Sequence, residues 1–60
     1  MSVNFKEYIG FVKESLENES TDVVEVFNKM ALKMGAITVE QYSQAADLIV
    51  EKYMINRFGL

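Results

Sequence analysis

Sixty residues, half of them apolar, carry a formal charge of −3 with no cysteine, no histidine and no proline. That composition allows one small domain, residues 1–60, and excludes a disulfide staple, a thiolate site, the commonest metal ligand and the commonest general base. A chain of this length buries only about 60% of the surface its unfolded form exposes, so apolar side chains are expected to be left over for another polypeptide.

Three helices are predicted, over about residues 4–17, 22–34 and 38–56. In the first, Phe5, Tyr8, Ile9, Val12 and Leu16 recur at spacings of three and four, which places them on one side of a helix. Asn4 is a suitable N-cap, with Glu7 at the capping-box position. Gly10 lies off the stripe and costs about 1 kcal/mol relative to Ala.

The polar run "ENEST" at 17–21 then breaks the pattern, and Ser20, Thr21 or Asp22 is available to cap the next helix. There Val23, Phe27, Met30 and Met34 form the expected buried stripe, widened by Val24, Val26 and Ala31. Asp22 and Glu25 suit the positive end of its dipole, Lys29 and Lys33 the negative end, and Glu25 and Lys29 form an i,i+4 pair.

In the joint "MGAITVEQY", Gly35 suits the left-handed residue after a helix, and Thr38 with Gln41 has capping-box spacing. Ile37 and Tyr42 are spaced as a hydrophobic staple. So short a joint predicts an antiparallel hairpin of the second and third helices. Val39, Tyr42, Ala46, Ile49, Val50 and Tyr53 mark the expected inner face of the third helix, with "RFGL" fraying beyond Asn56.

The predicted fold is thus all-α, a small three-helix protein. Leu48 and Ile55 stand seven apart on the side away from the third stripe, Leu32 lies away from the second, and Phe11 flanks the first. With Phe58 and Leu60 these exceed what a monomer this small leaves uncovered, which predicts a homodimer. The candidate interface is Phe11, Leu32, Leu48, Ile55 and Phe58.

Glu14, Glu17, Glu19, Asp22 and Glu25 crowd together with no basic residue among them. Counted as an EF-hand loop from Glu17, the run puts Thr21, Asp22 and Asn28 where acid, Gly and Glu are needed, so Ca²⁺ is not expected. Helix capping and a solvated charged face account for the run. The functional alternative is an anionic contact surface, Glu14, Glu17, Glu19 and Asp22, that orients a basic partner.

Catalysis has little to stand on. Asp47 and Glu51 share a helix face without a concave site, and Ser2, Ser15, Ser20 and Ser43 have no histidine to activate them. Met30 and Met34 fit a core better than an adaptable groove, and Tyr8, Tyr42 and Tyr53 suit boundaries where a hydroxyl finds a partner. The acidic balance argues against nucleic acid. No apolar run approaches the ~18 residues of a membrane span, no helix has a Lys/Arg-rich polar face, and the opening lacks a signal peptide's basic start. A cytoplasmic protein without cofactors is expected.

Two resemblances add to this. "ALKMGAITVEQY" resembles the G-x-I-T-x-E-Q-Y joint of short helical phage proteins of Gram-positive hosts, the XkdX-like type, through Gly35, Ile37, Thr38, Glu40, Gln41 and Tyr42. "YSQAADLIVEKY" is similar to the S-Q-x-x-D motif of small sporulation aspartyl-phosphate phosphatases, but it has Ala46 where that family usually has Leu, with a shorter spacing from Gly35 and an additional first helix. The first resemblance implies a viral setting, in the host cytoplasm. The second implies Ser43, Gln44 and Asp47 beside the phosphorylated aspartate of a response regulator, with Gln44 or Asp47 orienting water. The expected function is a non-enzymatic interaction module, a dimeric phage-encoded inhibitor or adaptor of a larger host protein. The alternatives are a regulator of response-regulator dephosphorylation and a minor phage structural component.

Overall fold

Each helix starts at a side chain that accepts hydrogen bonds from otherwise orphaned backbone amides. In the computed structural model, which describes residues 4–59, these helices are α1 (Phe5–Asn18), α2 (Thr21–Lys33) and α3 (Val39–Phe58). Asn4 Oδ1 accepts from the amides of Lys6 and Glu7 at 3.0 and 3.2 Å. Ser20 Oγ accepts from Val23 at 3.3 Å, so Ser20 rather than Asp22 caps α2. Before α3 the expected capping box forms: Thr38 Oγ1 accepts from the Gln41 amide at 3.2 Å, and Gln41 Oε1 accepts from the Thr38 amide at 2.7 Å. Ile37 is buried and Tyr42 packs on the same core, as the staple spacing anticipates.

The helix ends are as specific. Gly35 has φ of 76°, the left-handed region that only glycine enters without steric cost. Around it the Gly35 amide donates to the Leu32 carbonyl and the Ala36 amide to the Ala31 carbonyl, both at 3.0 Å. This pair of bonds is the Schellman arrangement, and it satisfies two carbonyls that α2 leaves open. At the other end of the chain α3 continues past Asn56 to Phe58, because Gly59, with φ of 69°, supplies a second left-handed terminus whose amide reaches the Ile55 carbonyl at 2.9 Å. The predicted fraying therefore starts too early. Leu60, counted above among the apolar surplus, lies outside the described residues.

The core gathers Tyr8, Val12 and Leu16 from α1, Val24 and Ala31 from α2, Ile37 from the joint, and Ala45 and Ile49 from α3. The stripe predicted for α1 holds, apart from Phe5, which is exposed. That for α2 holds only at its widening residues Val24 and Ala31: Val23, Val26, Phe27, Met30 and Met34 face outward, and the line one residue later than the predicted centre, Val24, Asn28 and Ala31, faces inward. One residue is about 100° of helix rotation. On α3 the buried line is Gln41, Ala45 and Ile49, while Val39, Val50 and Tyr53 are exposed. Leu32 and Leu48, assigned above to an interface, instead pack half-buried against the core.

A buried polar contact explains the rotation of α2. Asn28 is 1% exposed. Its Oδ1 accepts from the Tyr8 hydroxyl and its Nδ2 donates to the Tyr42 carbonyl at 3.2 Å, so one side chain ties α1, α2 and α3 together. An unpaired buried hydroxyl or amide costs about 1–3 kcal/mol, so this contact favours the observed roll of the helix. Among the described residues no buried side-chain polar atom lacks a partner. Burial pushes the Tyr8 phenol above its usual pKa.

Candidate interaction surface

Rotating α2 so that Asn28 points inward turns its larger apolar residues outward, and this creates the most distinctive surface of the molecule. Phe27 meets Phe11 of α1 with ring centroids 5.1 Å apart and planes tilted by 49°. Such aromatic pairs contribute about 0.5–1.5 kcal/mol beyond area burial, yet each ring here is close to half exposed. They bridge the seam between α1 and α2, the pair of helices that touch each other least.

On one side of this aromatic bridge is a groove of about 430 Å³, walled by Phe11, Val23, Val24 and Phe27, with Glu14 and Glu19 on its rim. On the other side a shallower depression of about 340 Å³ is lined by Tyr8, Ala31 and Ala36 with Glu7. Every charged residue lining either hollow is acidic. Met30 and Met34 extend the exposed apolar strip along α2. Ser15 also lines the larger groove, in a chain that has no histidine.

The acidic band that is continuous in sequence is divided in space. Glu14 and Glu19 border the α1–α2 groove, whereas Asp22 joins Glu25 beside Ile49, Val50 and Tyr53 at a hollow of about 180 Å³ between α2 and α3. Glu17 is exposed and lines neither. Among the described residues no three His, Cys, Asp or Glu side chains are grouped to hold a metal ion. Glu25 makes the anticipated pair with Lys29 at 3.7 Å, with both side chains exposed.

Of the five candidate interface residues, Phe11, Ile55 and Phe58 are exposed, while Leu32 and Leu48 belong to the flank of the core. Ile55 and Phe58 lie on the last turns of α3, where Tyr53 and Met54 are exposed too. The Arg57 guanidinium sits 6.0 Å from the ring centroids of both Tyr53 and Phe58, at the outer limit of cation–π contact. Ser43, Gln44 and Asp47 share an exposed arc of α3, outside the three hollows.

Sequence reasoning missed Val23, Phe27, Met30 and Met34 as surface residues by assigning them to the core. The available signal was Asn28, a polar residue at i+4 from Val24 and three before Ala31, whose inward placement follows once the Tyr8 hydroxyl is seen to need an acceptor. Among the described residues no helix is long and apolar enough to cross a membrane. No protein-family model, curated protein or solved structure matches the chain.

Proposed function

We propose that this chain is a non-enzymatic protein–protein interaction module, dimeric and phage-encoded, that inhibits or adapts a larger host protein in the host cytoplasm. The observation that carries the reading is the outward strip of Phe11, Phe27, Met30 and Met34, whose side chains are 48%, 45%, 55% and 77% exposed. Fully covering one large apolar side chain contributes about 1.5–3 kcal/mol, so a partner seated on this strip gains affinity from a few residues. The G-x-I-T-x-E-Q-Y joint supports the viral setting. An antiparallel hairpin of α2 and α3 belongs to the same proposal. It is supported by the short joint at residues 34–38, by Thr21 and Asp22 lining one hollow with Val50 and Tyr53, and by the Asn28–Tyr42 hydrogen bond.

The test is capture from lysate of a Gram-positive host, comparing the native chain with a Met30→Gln/Met34→Gln variant. Both positions are exposed, so the variant is expected to keep its helix content by circular dichroism. A host protein retained in stoichiometric amount by the native chain and lost by the variant supports the proposal. Equal retention by both, or retention by neither, removes it.

A second reading is favoured by the exposed arc of Ser43, Gln44 and Asp47, since those side chains are free of core packing. In it the chain accelerates loss of phosphate from a response regulator. Unchanged decay of phosphorylated regulators, or decay equally fast with Gln44→Ala and Asp47→Ala, eliminates it.

A further inference from the structure

The end of α3 is built like a ligand for the groove between α1 and α2. From Val50 to Phe58 no residue is buried, and Val50, Tyr53, Met54 and Phe58 are 55%, 45%, 44% and 59% exposed. Val50, Met54 and Phe58 nonetheless repeat at intervals of four along one side, flanked by Tyr53 and Ile55. A helical segment gains most of its stability from packing of its apolar side chains, and here those side chains remain about half exposed within the chain. The segment is about 12 Å long at 1.5 Å per residue.

Charge points to its occupant. The segment carries Glu51 and Lys52 side by side at its start and Arg57 alone at its tip, whereas the charged residues on the groove are Glu14 and Glu19. Among the described residues the one ion pair is Glu25–Lys29, so Arg57, Glu14 and Glu19 are each without an ionic partner. An apolar tongue with a basic tip and an apolar groove with an acidic rim therefore occur in the same molecule, both partly exposed.

We propose that a second copy of this chain covers the groove, with the α3 tongue of each protomer (Tyr53, Met54 and Phe58, with Arg57) lying in the α1–α2 groove of the other and Arg57 facing Glu14 and Glu19. This rests on the dimer reading above and gives it an interface. Reciprocal exchange uses the same patch twice about a two-fold axis, which closes the assembly at two. A stable interface takes about 800 Å² from each partner, a substantial share of the 4529 Å² that this small chain exposes, so each protomer has to contribute both its tongue and its groove. Met30, Met34 and the hollow on the far side of the Phe11–Phe27 bridge stay open for a different partner.

Sedimentation of the full chain tests the arrangement with charge reversal on either half, Arg57→Glu in one variant and Glu14→Arg/Glu19→Arg in the other. All these positions are exposed, and circular dichroism confirms that each variant is folded. The native chain is expected to be dimeric at about 100 μM, and each variant alone to associate about tenfold or more weakly, because like charges then meet at both contacts. An equimolar mixture of the two variants pairs opposite charges again at both contacts and is expected to recover dimer. A native dimer indifferent to both variants, or a mixture that stays monomeric, overturns the tongue-in-groove arrangement and leaves the dimer reading standing. Growth into species larger than two overturns reciprocal exchange. A native chain that is monomeric at this concentration overturns both.

Discussion

The two halves of α3 differ more from each other than α3 differs from its neighbours. From Thr38 to Ile49 the helix is capped reciprocally, buries Gln41, Ala45 and Ile49, and receives the Asn28 amide on the Tyr42 carbonyl. From Val50 to Phe58 it has a comparable supply of apolar side chains and buries none. Hydrophobicity alone does not decide burial in so small a protein. What separates the halves is whether a neighbouring helix supplies polar partners and small side chains at the contact, as α2 does with Asn28 and Ala31.

The largest test of that contrast is Ile49→Ala, which leaves a cavity in the shared core and is expected to destabilise the fold by about 3 kcal/mol. In a 60-residue chain this approaches the entire stability, at about 4–8 °C of Tm per kcal/mol. Thermal melting followed by circular dichroism reads it, and a loss below 1 kcal/mol would show that the first half of α3 is no better anchored than the second. Thr38→Ala removes the cap that starts the anchored half and is expected to cost about 1 kcal/mol, again in melting temperature. A variant as stable as the native chain would mean that packing alone sets the start of α3.

Alkaline pH probes the same anchor through Tyr8. Its folded pKa is raised by burial, so the unfolded chain loses its proton first, beginning near pH 10. The stabilisation is therefore complete below that pH and is lost as pH rises through the folded pKa. Melts between pH 8 and 11 should show a steeper decline for the native chain than for Tyr8→Phe; parallel declines would remove Tyr8 as the cause. The smallest expected effect is that of Phe58→Ser, less than about 0.5 kcal/mol on the isolated protomer, since a surface substitution touches no core contact. Measured well below the association concentration, a larger loss would show that the last turns of α3 are anchored within the chain.

The extent to which the sequence foretold this structure follows the range of the interactions involved. Caps and stops are local, and Asn4, the Thr38–Gln41 pair and Gly35 were all legible from residue type and spacing. The roll of α2 is not local. Val23, Phe27, Met30 and Met34 make a more hydrophobic line than Val24, Asn28 and Ala31, and the second line faces inward together with hydrogen bonds of Asn28 to the remote Tyr8 hydroxyl and Tyr42 carbonyl. Half of the candidate surface was hidden by the same error. Phe11, Ile55 and Phe58 were recognised as surplus, but Phe27 was placed inside, so the aromatic bridge and its flanking hollows had no counterpart in the sequence pattern.

Asn28 consequently acts as an indexing pin between two conceivable settings of α2, the observed one and the one that hydrophobicity alone predicts. In one, α2 offers adhesive side chains to the outside; in the other, about 100° away, the same side chains line the interior and the exterior turns bland. Replacing the pin by a charged side chain, Asn28→Asp, makes the buried position costly, and α2 is expected to turn toward the second setting. Shielding of the Met30 and Met34 methyl groups from a dissolved paramagnetic probe would register the turn, and unaltered exposure would show that shape holds the index without the amide. A single codon thereby stands between a sticky protein and a reticent one.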